Sequence, residues 1–186
     1  MKSSKYTLFS LLMLVLVAAV YRVIPDRPWG FAPQFAMTLF CGATIKDKRI
    51  ALALPLISMF ISDILYQVLY VYGISGIEGF YAGMVWNYLL FGSLTFIGFF
   101  VNQYRIASLL KGAFATPTAF FILSNFVTWL GGGGLQRPKT GLGLLQTYAD
   151  GLPFYGNSLV ATVVFGLILF GSNHLMVRKF AVERIN

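Results

Sequence analysis

A chain of 186 residues that is 58% hydrophobic and only 11% charged falls well short of the roughly 25% charged residues of a soluble domain. Its formal charge of +8 is spread over short segments between long apolar runs. With no basic helix face or recognition motif, this distribution excludes a nucleic-acid module and points to lipid as the main solvent and partner. The single cysteine, Cys41, excludes an internal disulfide and a multi-cysteine metal centre.

Crossing the hydrocarbon core takes about 20 apolar residues, and six runs approach that length. The first, Tyr6–Ile24, follows Lys2 and Lys5 and is too long for a signal-peptide core, so it is expected to be retained as a helix. The second, Phe31–Ile45, is short and contains Pro33 and Gly42, which suggests a kinked or incomplete crossing. Ile50–Tyr72 and Gly79–Val101 follow, separated by a Gly-containing turn. Leu109–Leu130 is the fifth run and Pro153–Met176 the sixth. Between these last two, residues 131–152 open with four glycines, and Thr140 is placed to cap a short helix through Ala149. That segment reads as a lid or interfacial helix. The fold class expected is therefore an all-α integral membrane protein, a single transmembrane domain over residues 1–186 with six helices.

Sorting Lys and Arg by side gives ten against four. Lys2, Lys5, Lys46, Lys48, Arg49, Arg105, Lys111, Arg178, Lys179 and Arg184 lie on one side, and Arg22, Arg27, Arg137 and Lys139 on the other. The positive-inside rule places the first group, and both termini, in the cytoplasm. The expected location is the bacterial cytoplasmic (inner) membrane, crossed several times.

Polar residues within apolar spans are costly, so their depth carries information. Asp63 lies late in the third run, with Tyr66, Gln67 and Tyr70 on its face at helical spacing. Trp86 and Asn87 begin the fourth run, Ser124, Asn125, Thr128 and Trp129 end the fifth, and Tyr155, Asn157 and Ser158 begin the sixth. Gln34 and Thr38 of the second run fall in the same slab. Such a one-sided layer suits a binding cup with aromatic walls and a few fixed polar groups. The candidate ligand contacts are Gln34, Asp63, Gln67, Trp86, Asn87, Asn125, Trp129 and Asn157. The competing reading is that the amides only bridge helices. Asp63 needs a counter-charge, and the cations nearest that side are Arg22, Arg27, Arg137 and Lys139. Small-residue pairs at helical spacing occur at Ala32/Ala36, Gly79/Gly83 and Ala115/Ala119. No metal-ligand spacing, nucleophile–base pair or phosphate loop is present, so neither an enzyme nor a resident cofactor is expected.

Phe31–Gly42, the basic turn Lys46–Arg49 and Ala51–Ser62 ending in Asp63 resemble the second and third helices of the substrate-binding S components of energy-coupling-factor (ECF) transporters. Over nearly its full length the chain also resembles an uncharacterised bacterial family described as S-component-like. The residues that carry this are Ile45–Leu56, Ser62-Asp63, Ser124–Trp129, Pro138–Thr140 and Leu152–Asn157. The resemblance implies a six-helix S-component-like bundle that binds a vitamin- or micronutrient-like small molecule near the outer face. It also implies docking to an ECF-type coupling membrane subunit with ATPases, for which Ala32 and Ala36 form a candidate face. The alternative from another class is a structural or assembly subunit of a larger membrane complex without a ligand.

Overall fold

In the computed structural model, which describes residues 5–182 and the side chains of 13–175, the chain forms α1 (Lys5–Arg22), α2 (Gln34–Thr44), α3 (Lys48–Val71), α4 (Met84–Phe99), α5 (Ile106–Gly131) and α6 (Gly141–Val182). Lys2 and Arg184 of the topogenic set lie outside the described residues, as do the side chains of Lys5, Arg178 and Lys179. No strand occurs among the described residues.

Among the described residues three helices are long and apolar enough to cross a membrane: α3, α5 and the Gly141–Leu175 part of α6. They mark the chain as a membrane protein. Two of the expected crossings, α4 and α2, fall short for separate reasons. In α4 the helix starts at Met84 rather than Gly79, because Gly83 adopts φ +88° at its N-cap. Gly79 and Gly83 therefore sit in a loop and do not form a helix face. In α2 only 11 residues are helical, about 16 Å of rise.

That short helix is the centre of the bundle. Gln34 through Gly42 are all buried, and α2 packs against α3, α4, α5 and α6. α1 leans on α3, with Val15, Ala18, Met37, Phe40, Cys41 and Ala51 forming one core cluster. Two glycines let α2 and α4 touch backbone to backbone: a Cβ on Gly42 would lie 2.5 Å from the Thr95 carbonyl oxygen, and one on Gly98 would lie 2.7 Å from that of Leu39. Large side chains such as Val17, Val71, Phe100, Ile106 and Leu167 project outward. On a soluble protein so much exposed apolar surface would be a liability, whereas against acyl chains it is the expected exterior.

Local signals set the helix ends. Asp47 accepts hydrogen bonds from the Arg49 and Ile50 amides and starts α3. α5 stops at Gly132 (φ +74°), where the Gly133 amide donates back to Thr128. Thr140 does cap a helix, its Oγ1 accepting from Gly143 N at 3.1 Å. That helix does not end near Ala149 but runs on through Pro153 to Val182. The separate lid expected over residues 131–152 is thus reduced to the turn at 132–140, and the rest is the first part of α6. Proline deletes one backbone bond in such a helix without ending it, because neighbouring helices hold the flanks.

Candidate functional site

The ends of α1, α3 and α5 and the starts of α2, α4 and α6 meet at one end of the bundle, and the polar residues converge there. Asp63, fully buried on α3, is ion-paired with Arg22 at the C-terminus of α1. The Tyr88 hydroxyl on α4 donates to the other carboxylate oxygen at 2.6 Å. Arg22 also donates to Ser62 Oγ at 2.6 Å and to the Met59 carbonyl at 3.3 Å. The counter-charge that the sequence requires for Asp63 is therefore Arg22. Arg27, on the α1–α2 loop, donates to the Arg22 carbonyl at 2.8 Å, the Phe31 carbonyl at 3.2 Å and the Tyr66 hydroxyl at 3.2 Å.

Two hollows flank this cluster, and Arg22 and Arg27 border both. The first, about 330 Å³, is walled by Phe35, Phe91, Phe120, Phe121, Phe154 and Tyr155 with Gln34, Ser124, Asn125 and Ser158. Phe35, Phe91 and Phe120 form a three-ring cluster with centroids 4.8–5.1 Å apart, and Phe121 stacks on Tyr155 at 4.7 Å. The second, about 430 Å³, lies among Trp29, Asp63, Tyr66, Ile77, Glu78 and Tyr81.

Of the eight candidate ligand contacts, Gln34 and Asn125 line the first hollow and Asp63 the second. The other five are not brought together. Gln67 accepts from the Gly79 and Phe80 amides at 3.2 Å and so shapes the α3–α4 loop. Trp86 points outward, 57% exposed. Asn87 donates to the Tyr81 hydroxyl at 2.6 Å, Trp129 to the Pro138 carbonyl at 2.8 Å, and Asn157 to the Trp29 carbonyl at 2.8 Å. These four amide and indole groups pin loops to helices. Loss of the Gln67 carboxamide in Gln67→Leu is expected to cost about 1–3 kcal/mol, since the Phe80 amide it leaves lies near solvent but the Gly79 amide is buried. The thermal midpoint in detergent checks this. The small-residue pair also faces inward: Ala32 lines the first hollow and Ala36 is fully buried. Ala36 therefore presents no docking surface, whereas Ala32 is half-buried.

Sequence reasoning missed the structural part played by Arg22 and Arg27, which counted only as loop charges and possible counter-ions, and it missed Tyr88 entirely. Phe35, Phe91 and Phe120 had no distinguishing signal among 18 phenylalanines. Glycine supplied an unread signal. Gly30 (φ +82°) lies so close to α6 that a Cβ would sit 2.5 Å from the Phe154 carbonyl oxygen, and the Ser158 hydroxyl donates to the Gly30 carbonyl at 3.1 Å. This contact seats the α1–α2 loop over the first hollow. Cys41 is buried away from both hollows, and no group of metal-ligating side chains occurs among the described residues.

No curated protein and no solved structure matches the chain. A family model described as "Family of unknown function (DUF6580)" matches residues 2–183, nearly the whole length, and the chain belongs to that family.

Proposed function

We propose that this protein is a small-molecule-binding membrane subunit for uptake, similar in plan to the S component of an ECF transporter. The observation that carries the reading is the 330 Å³ hollow at the loop-rich end of the bundle. It combines aromatic walls with a few convergent polar groups, the usual make-up of a ligand site, and its size suits a compact molecule. The excess of Lys and Arg on the opposite loops supports a cytoplasmic placement of both termini in a bacterial inner membrane, which turns the hollow outward. Docking to an ATP-driven coupling subunit would use a surface that excludes the buried Ala36.

The test is mass spectrometry of small molecules carried through purification in mild detergent. Asn125→Leu is expected to lower the retained molecule about three- to ten-fold, the weight of one neutral hydrogen bond. Trp129→Phe, which alters a loop pin 2.8 Å from Pro138, is expected to leave it unchanged. Equal retention in both variants would remove the hollow from consideration. The second reading, an assembly subunit without ligand, draws on the four polar side chains spent on internal pins. An empty preparation bearing a stoichiometric protein partner would favour it.

A further inference from the structure

Gln34 occupies the first turn of α2 and is 2% exposed. Its Nε2 donates to the Ala18 carbonyl at 3.3 Å, which fixes the amide orientation, because a flipped amide would set oxygen against oxygen. Its Oε1 has no donor, one of only two such buried side-chain atoms among the described residues. A buried acceptor is costly until a donor reaches it, and Gln34 lies in the wall of the first hollow.

The charge around this hollow is one-sided. Its wall contains Arg22 and Arg27 and no carboxylate. Arg22 is neutralised by Asp63. Arg27 spends its bonds on two carbonyls and a hydroxyl and has no carboxylate partner among the described residues. A guanidinium with unspent N–H groups in a partly desolvated site favours an anion over a neutral group. The aromatic walls favour a flat body, which gains stacking contacts that a bulky aliphatic one does not.

Building on the uptake reading, we propose that the hollow takes a compact planar organic anion, whose own N–H or O–H donates to Gln34 Oε1 and whose anionic group meets Arg27. Gln34 then sets specificity for a ligand bearing a donor, and Arg27 sets the preference for negative charge.

The experiment uses the full chain in detergent and measures binding of aromatic carboxylates with one and two fused rings. Each is compared with its methyl ester, and each ring-hydroxylated acid with its methoxy counterpart. The acids are expected to bind at least ten-fold more tightly than the esters, and the hydroxylated acids more tightly than the methoxylated ones. Arg27→Gln is expected to abolish the acid preference while Arg27→Lys keeps most of it. A mere loss of loop support would lower acid and ester alike. Gln34→Leu is expected to erase the hydroxyl preference and spare the acid preference. Equal binding of acids and esters, or an acid preference that survives Arg27→Gln, overturns the ligand class. A co-purified neutral molecule lost in Asn125→Leu would also overturn it while leaving the uptake reading standing. Absence of any binding, together with an empty preparation, overturns both.

Discussion

Replacing Asp63 by alanine is expected to destabilise the protein by about 3–5 kcal/mol, the usual cost of breaking a buried ion pair by removing one partner. The loss comes from what remains. Arg22 keeps its charge at the junction of α1 and α3, facing two acceptors that cannot neutralise it, and the Tyr88 hydroxyl loses its acceptor. The lower end of the range applies, because the Arg22 side chain is still 18% exposed and water can reach part of it. Asp63→Asn is expected to be milder, since an amide oxygen still accepts from Tyr88. The decisive comparison is the double variant Asp63→Ala with Arg22→Leu. If the uncompensated guanidinium causes the damage, removing it restores much of the stability, and the cycle shows a coupling well outside additivity. Thermal midpoints and denaturant unfolding in a single detergent measure all four members. Additive losses would mean that the pair is incidental to the α1–α3 junction.

Gly98→Val is expected to have the other large effect, with poor yield of folded protein or a drop of at least about 3 kcal/mol, beyond ordinary core overpacking. A Cβ at this position meets the Leu39 carbonyl oxygen at 2.7 Å and the Gly42 Cα at 2.8 Å. Both are backbone atoms of α2, so no side-chain rotation relieves the clash. The helices have to separate, and α2 is the element around which α3, α4, α5 and α6 are arranged. Gly92→Val on the same helix serves as the control, because its Cβ meets only Leu56 methyls at 3.8–4.0 Å. Normal yield and stability of Gly98→Val would show that the α2–α4 crossing is looser than described.

The sequence made the six helices legible because apolar runs and basic punctuation are strong signals. It also showed that Asp63 needed a cation and that Thr140 would cap a helix. Span length was less legible. Pro33 and Gly42 hinted at an incomplete α2, but its central burial depends on four partner helices that no local pattern reveals. A short helix through Ala149 and a separate run from Pro153 were expected, and the chain instead continues through Pro153 as one long α6. Depth alone placed eight polar side chains in one slab. Depth says nothing about azimuth, however, and that is why Gln34 and Asn125 turn into the first hollow while Trp86 turns away and Asn157 reaches back to a loop.

The unbroken α6 has a mechanical consequence. Its 42 residues make a strut about 63 Å long, roughly twice the hydrocarbon thickness. Tyr155 in the wall of the first hollow and Asn173, which donates to Gln103 at 3.2 Å beyond the end of α4, ride on the same rod about 27 Å apart. A tilt of about 5° pivoting at Tyr155 carries Asn173 by roughly 2 Å, enough to part it from Gln103. Any displacement at the Tyr155 end of the rod is thereby transmitted to the opposite rim by leverage alone.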